Sequence, residues 1–212
     1  MAGTPSFCGV ILAAGESSRM GSDKALMAWP PDALGQTFLS AGIESLNDFS
    51  DMVIVVAGKN AVNLAPVVYA NAAFLVKNPT PERGQFSSLQ IGLQEVLNRG
   101  RDAAIITLVD RPPARPSTLQ SLCDAFAGRG HDTWSIVPEY RGKHGHPFLI
   151  GSEMIHLFCA APATANAQEI EHRHQHHIEY VPVDDPAVTL NVDTPEQYSA
   201  LSSSASTASE KQ

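Results

Sequence analysis

The sequence is poor in cysteine and has no excess of positive charge. Its three cysteines, Cys8, Cys123 and Cys159, are too widely spaced for a disulfide framework or a CxxC metal site. They favour a reducing, cytoplasmic setting. The formal net charge is -8. Because an acidic protein repels nucleic acid and anionic lipid, we expect neither nucleic acid nor a membrane as a partner.

Long apolar runs and a leader segment are also missing. No stretch reaches the ~18 apolar residues of a membrane-spanning helix, and the N-terminus lacks a basic segment followed by an apolar one. Hydrophobic residues make up 43% of the chain, which is enough for a sizeable core. We therefore expect one domain over residues 1–201 and a small, polar, disordered tail at 202–212.

Short apolar runs alternate with amphipathic stretches in the first half of the chain. Runs that are apolar on both faces predict buried strands at residues 7–13, 52–57 and 104–109, with a weaker strand at 73–76. Helical patterns lie between them at 37–46, 87–97 and 117–126. The alternation predicts a three-layer α/β/α fold with a mostly parallel sheet and right-handed crossovers.

The second half is less regular and contains a run of histidines. Its apolar patterns predict strands at residues 134–138, 147–150 and 180–183, and a helix at 152–159. In the run HRHQHH, alternation of His172, His174 and His176 along a strand would present three imidazoles for a transition metal. We favour a solvated turn at a strand edge, because no cysteine or supporting carboxylate pattern accompanies the run.

The most informative segment follows the first predicted strand and reads LAAGESSRMGSDK. Its small residues, Ala13, Ala14 and Gly15, let the backbone approach a ligand, and Arg19 and Lys24 add two cations. It is not a Walker A loop, since alanine follows Lys24, and it lacks the G-x-G-x-x-G dinucleotide motif. An ordinary βα turn is the alternative. The position after a strand favours a phosphate-binding loop of another kind.

This segment resembles the signature loop of the MobA-like NTP transferases, the group that includes molybdenum cofactor cytidylyltransferases. The resemblance implies a Rossmann-like fold of the nucleotide-diphospho-sugar-transferase type. It implies that Arg19 and Lys24 hold the triphosphate during catalysis, and that the nucleotide is lined by Leu12, Ala13, Ala14 and Gly15. By itself the motif does not separate enzymes that act on molybdopterin from those that act on sugar phosphates.

Two later segments resemble the same family. Gly84, Ser87 and Ser88 match its Gly-x-x-Ser-Ser-Leu segment, in which Ser88 either contacts the nucleotide or caps a helix. Residues 145–147 are similar to its Gly-His-Pro element. This similarity implies that His146 lines the binding site of the acceptor.

Two aspartates complete the predicted site. Asp110 ends the strand at 104–109, where a carboxylate can hold Mg²⁺ beside bound phosphates, although it could also be a simple turn residue. The stretch NVDTPE closely resembles the family's Asp-x-Asp-Thr-Pro-Glu, which implies that Asp193 is the second magnesium ligand; capping a helix is its other possible role.

The sequence departs from the family's motifs at two places. Where the family has Gly-Asp-Gln-Pro, this chain has Val-Asp-Arg-Pro, so Arg111 replaces a glutamine. A Gly-Asp-x-Gly-Ala-Arg-like segment is also replaced, by residues 163–173.

The resemblance implies a magnesium-dependent nucleotidyltransferase. We expect the phosphate of a small acceptor to attack the α-phosphorus of an NTP, with catalysis by positioning and charge neutralisation and with pyrophosphate as the leaving group. Ala14, where guanylyl enzymes of the family carry glycine, favours CTP, and a molybdopterin-type acceptor is favoured. Two alternatives stay open: a sugar- or polyol-phosphate nucleotidyltransferase, and a nucleotide-binding regulatory module without turnover.

Overall fold

The computed structural model describes residues 6–15, 23–31, 35–162 and 164–201. Two predictions concern residues outside these ranges, namely the disordered tail at 202–212 and the role of Arg19. Within the described ranges, eight strands form one sheet with helices on both of its faces. No helix in these ranges is long and apolar enough to cross a membrane.

The first half of the chain builds four parallel strands: β1 (Phe7–Ala13), β2 (Met52–Ala57), β3 (Phe74–Lys77) and β4 (Ala103–Leu108). β1 lies between β2 and β4, and β3 pairs with the outer side of β2. Every residue of β1 is buried, because helices cover both of its faces. The predicted bounds of β1 and β2 are confirmed, and those of β3 and β4 differ by one residue.

The second half extends the sheet beyond β4 with four strands: β5 (Ser135–Tyr140), β6 (Lys143–His144), β7 (Phe148–Ile150) and β8 (Ile178–Pro182). β7 runs antiparallel between β4 and β5. The sheet order is therefore β3-β2-β1-β4-β7-β5-β6, and β8 pairs in parallel with β5. Because β6 and β7 are reversed, the sheet is mostly rather than wholly parallel, as predicted.

The helices that cover the sheet are α1 (Phe38–Asn47), α2 (Ala61–Ala70), α3 (Gln85–Asn98), α4 (Pro116–Gly128), α5 (Ser152–Ala160) and α6 (Ala167–Arg173). Residues 195–201 are also helical. α1 begins where Thr37 caps it: the Thr37 hydroxyl accepts a 3.1 Å hydrogen bond from the Ser40 backbone N–H. α4 begins with Pro116, whose missing N–H costs nothing in a first turn.

Each face of the sheet has its own apolar core. Ile11 belongs to the core under α1, α2 and α4, and its neighbour Val10 belongs to the core under α3, α5 and α6. Gly92 lets α3 lie close to the sheet, because a Cβ at Gly92 would be 2.8 Å from Val10 Cγ1. Two cores on opposite sides of one sheet confirm the predicted three-layer fold.

The structure contains two helices, α2 and α6, and one strand, β6, that the sequence pattern did not predict. The interior Pro66 of α2 explains why its sequence pattern looks unlike a helix. The alternative in which three histidines alternate along a strand is wrong, because His172 lies in α6 and His176 in a 3-10 turn. The described residues contain no group of three or more histidine, cysteine or acidic side chains placed to hold a metal.

Candidate functional site

A cavity of about 520 Å³ opens at the carboxyl ends of β1 and β4. Parallel neighbours end at the same edge of a sheet, so the residues that follow these two strands meet there. Ala14 and Gly15 follow β1, and Asp110 follows β4. The start of α3 and the turn before it provide the facing side: Pro81, Glu82, Gly84, Gln85 and Ser88. The volume is within the ~300–1,000 Å³ of small-molecule sites.

Asn60 holds the end of β1 and the backbone near Lys24 in place. Its Nδ2 donates to the Ala13 carbonyl oxygen at 3.0 Å and to Asp23 Oδ2 at 2.7 Å. Its Oδ1 accepts a 3.0 Å hydrogen bond from the Gly58 N–H. Asp23 in turn accepts a 3.1 Å bond from the Ala25 N–H. One half-buried amide thus fixes both ends of the segment between β1 and Lys24.

Lys24 joins the two aspartates that were predicted to hold a metal. Its Nζ lies 2.8 Å from Asp193 Oδ1 and 3.5 Å from Asp110 Oδ2. Because both oxygens contact one nitrogen, they cannot be farther apart than the sum of these distances. The Lys24 side chain is 12% exposed, so its ammonium compensates two carboxylates in a site that is partly shielded from water.

One oxygen of the aspartate pair is available to a further cation. Asp110 Oδ1 is buried, and no residue in the described ranges hydrogen-bonds to it. Asp193 Oδ2 accepts from Asn191 Nδ2, and the Asp193 backbone N–H donates to Gln197 Oε1 at 2.6 Å. A buried carboxylate oxygen without a partner is costly, and a divalent cation with oxygen ligands would satisfy it. Asp110 and Asp193 are therefore chemically suited to Mg²⁺.

Ser88 reaches the cavity from the first turns of α3 and is almost fully buried. Asn78, at the end of β3, donates from Nδ2 to the hydroxyls of Ser87 and Ser88, each at 2.9 Å. Ser87 donates to the Gly84 carbonyl oxygen at 2.7 Å. Because Ser88 accepts the bond from Asn78, its own O–H proton can be donated to a ligand.

His146 and Arg111 both contact the segment that leads to Asp193. The His146 backbone N–H donates to the Val188 carbonyl oxygen at 2.8 Å, and Arg111 Nη1 donates to the Leu190 carbonyl oxygen at 3.1 Å. Burial, with a smaller contribution from the Arg111 charge, lowers the pKa of His146 to about 3. His146 is therefore neutral at physiological pH.

The structure brings most of the predicted site residues to one cavity. Its lining includes Leu12, Ala14, Gly15, Lys24, Ser88, Asp110 and Asp193. The Ala13 side chain points into the core instead, and Ala13 contributes its carbonyl oxygen to Asn60. His146 is not part of the lining, and Arg19 lies outside the described residues.

Sequence reasoning missed three residues that position this site. Asn60, Asp23 and Asn78 each connect loops that are far apart in sequence. Asp23 precedes Lys24 directly, which was a usable signal, since aspartate often caps a short helical turn. Asn60 and Asn78 follow β2 and β3, and their side-chain partners leave no local pattern.

Comparisons with known proteins agree with this geometry. The family model described as "MobA-like NTP transferase domain" matches residues 9–179. A probable molybdenum cofactor guanylyltransferase of Rhodopirellula baltica is 28% identical over 172 residues, which cover 81% of this chain and 78% of the relative. A molybdenum cofactor cytidylyltransferase of Escherichia coli is 24% identical over 191 residues, covering 89% and 92%.

A solved structure has the same architecture. Rv0371c of Mycobacterium tuberculosis superimposes with a TM-score of 0.75 at 25% sequence identity. The match covers 92% of this chain and 97% of that protein. The similarity therefore extends over both halves of the sheet.

Proposed function

Because this chain belongs to the MobA-like NTP transferase family, and is therefore a nucleotidyltransferase, we propose that it transfers CMP from CTP to the phosphate of a molybdopterin-type acceptor. The observation that carries the proposal is the convergence of Lys24, Asp110 and Asp193 at the mouth of the cavity after β1. One cation and two carboxylates at the carboxyl edge of a parallel sheet suit a metal-bound triphosphate.

Lys24 and Arg19 bind the triphosphate in this proposal. The flexible stem of Lys24 lets its ammonium exchange the aspartates for phosphate oxygens when the substrate enters. The backbone at Ala14 and Gly15 is close enough to the cavity to contact the ligand, and Ser88 can donate from the facing helix. The nucleotide is thus contacted both by the segment that follows β1 and by α3.

Asp110 and Asp193 hold Mg²⁺ in this proposal. Two observations support the assignment: Asp110 Oδ1 has no hydrogen-bond partner among the described residues, and both carboxylates lie close to Lys24 Nζ. When bound, Mg²⁺ neutralises phosphate charge and orients the phosphates. Asp110, which follows β4, and Asp193 both line the cavity, so they would hold this charge beside the bound nucleotide.

The transfer requires no covalent intermediate with the protein. An oxygen of the acceptor phosphate forms a bond to the α-phosphorus of CTP, while the bond from that phosphorus to the bridging α–β oxygen breaks. Pyrophosphate leaves with the electron pair of the broken bond. The protein residues act by orienting both phosphates and by stabilising the charge that develops on the leaving group.

CTP is the proposed donor because of Ala14. Guanylyl enzymes of the family tend to carry glycine at this position, and here the alanine methyl lies at the cavity lining. Gly58 packs against the Ala14 backbone, because a Cβ added at Gly58 would lie 2.9 Å from the Ala14 carbonyl oxygen. A methyl group held in place at the nucleotide side favours the smaller pyrimidine base over guanine.

A screen for pyrophosphate release tests the proposal. Four NTPs are combined with Mg²⁺ and a panel of phosphorylated pterins, sugars and polyols. We expect release with CTP and the pterin phosphate. Preferential use of GTP would overturn the base assignment, and preferential use of a sugar or polyol phosphate would overturn the acceptor. CTP binding without release in any combination would point to a module without turnover.

A further inference from the structure

One short segment, residues 188–193, connects the groups on the side of the cavity away from α3. Its Val188 carbonyl oxygen accepts from the His146 N–H at 2.8 Å, and its Leu190 carbonyl oxygen accepts from Arg111 Nη1 at 3.1 Å. The Val192 N–H donates to the Asp110 carbonyl oxygen at 3.0 Å. The segment ends at Asp193. Arg111, His146 and the two aspartates are therefore held by one piece of backbone.

The contact between this segment and His146 is tight. A Cβ added at Gly145 would lie 2.1 Å from the Val188 carbonyl oxygen, so only glycine allows the two backbones to meet. The position of His146 relative to residues 188–193 is thus set by close packing of backbone against backbone. Arg111 follows Asp110 directly, which fixes it at the end of β4.

Two polar atoms of this group have no partner. In the described part of the chain, neither Arg111 Nε nor His146 Nδ1 makes a hydrogen bond, although both atoms are buried. The guanidinium makes a single hydrogen bond to those residues, from Nη1 to Leu190. A guanidinium has five N–H donors in a planar fork that matches the oxygens of a phosphate. Most of that capacity is unused here.

We infer that Arg111 and His146 form the anion subsite that receives the acceptor's phosphate, next to Asp110. The inference rests on the proposed transfer reaction. The acceptor phosphate must approach a nucleotide triphosphate and two carboxylates, all of which repel it. Arg111 supplies a cation on the side from which the acceptor comes, and a neutral glutamine at this position cannot do so. His146 adds an N–H donor that introduces no competing charge.

The arrangement also gives this chain a preference among acceptors. A guanidinium that binds two oxygens at once favours a phosphate monoester dianion with terminal oxygens free over an uncharged hydroxyl. Arg111 therefore selects for the anionic end of the acceptor, while the organic part of the molecule extends away from Asp110.

Titration of inorganic phosphate, followed by NMR of the histidine rings, tests the subsite without any turnover. The His146 signal is identified by its loss in His146→Asn. We expect it to shift saturably with phosphate, and we expect Arg111→Gln to raise the half-saturating concentration by roughly tenfold. Arg115→Gln removes the same charge from an exposed arginine four residues away, and it should leave the midpoint unchanged.

Lys24→Ala separates this inference from the proposed function. If phosphate reaches His146 at its own subsite, it still shifts the His146 signal saturably in Lys24→Ala, whereas CTP affinity measured by calorimetry falls. An unchanged midpoint in Arg111→Gln, an equal effect of Arg115→Gln, or loss of the shift in Lys24→Ala would each overturn the subsite. Failure of CTP to bind the wild-type protein would instead overturn the proposed function. Circular dichroism establishes that each variant is folded.

Discussion

At the scale of single residues, Lys24 is the group whose partners must change when a nucleotide binds. It compensates Asp110 and Asp193 in the structure, and it pairs with phosphate oxygens in the proposed complex. We expect Lys24→Ala to weaken CTP binding by about 10- to 100-fold, because a charge-assisted hydrogen bond is worth ~1.5–3 kcal/mol. Calorimetry measures the affinity. Lys77→Ala removes the same charge from an exposed lysine at the end of β3 and should have little effect; equal losses in both variants would contradict the assignment.

A second prediction at the scale of single residues concerns Asp110 and Asp193. Asp110→Asn and Asp193→Asn keep the size of the side chain and remove one charge from the proposed magnesium site. We expect each to lower kcat by about 100-fold or more and to leave thermal stability close to that of the wild type. The control is Asp124→Asn, an exposed aspartate on α4 that accepts from Gln120. Turnover near the wild-type rate in either site variant would exclude a shared metal.

At the scale of elements, the fit of α3 against the sheet depends on Gly92. A Cβ there would approach Val10 Cγ1 at 2.8 Å and Val56 Cγ2 at 3.0 Å, so α3 would have to move. We expect Gly92→Ala to lower the free energy of unfolding by about 1–2 kcal/mol, since overpacking outweighs the helix propensity that alanine gains. Urea unfolding gives the value.

Gly128 provides the matched comparison for Gly92. It is the last residue of α4, and a Cβ added there would have nothing within 4 Å. Gly128→Ala should therefore be neutral or slightly stabilising, by less than about 1 kcal/mol. Similar stabilities for the two variants would show that α3 can shift to accept the methyl group at little cost.

Some strands and helices could be predicted from the sequence pattern, and others could not. β1 and β2 could be predicted to the residue because both are continuous apolar runs, buried on two faces and bounded by polar turns. α2 could not, because Pro66 interrupts its pattern and tertiary packing of Leu64 and Val68 overrides the local signal. β6 has two residues and exists only through its pairing with β5.

At the scale of the whole molecule, sequence motifs predicted the residues of the site, but the residues that position them could be identified only in the folded structure. The loop after β1, Asp110 after β4 and Asp193 in the stretch NVDTPE could be found in the sequence, because each lies in a segment that resembles a family motif. Asn60 could not be found, since its amide connects Ala13 to Asp23 only after β1 and β2 have paired. Arg111 departs from the family motif in the sequence itself. Its contact with residues 188–193 depends on the fold and could not be predicted from that departure.

The last prediction concerns the dependence of overall stability on pH. Burial raises the pKa of Glu171, on α6, from 4.5 to about 7. Between these values the folded state binds more protons than the unfolded chain. The stability that Glu171 contributes is therefore complete below about pH 4.5 and is lost as the pH rises through about 7. A charged, largely buried Glu171 consequently weakens the fold in mildly alkaline solution.

Glu171→Gln removes this penalty, because glutamine stays neutral at every pH. We expect the variant to exceed the wild type in free energy of unfolding by about 2–3 kcal/mol near pH 8, since each unit of pKa shift corresponds to ~1.4 kcal/mol, and by little near pH 4.5. Urea unfolding at both pH values measures the difference. Glu179→Gln makes the same change at an exposed position in β8 and should give no gain that depends on pH. Equal stability of Glu171→Gln and the wild type near pH 8 would mean that the Glu171 carboxylate is hydrated in the folded protein.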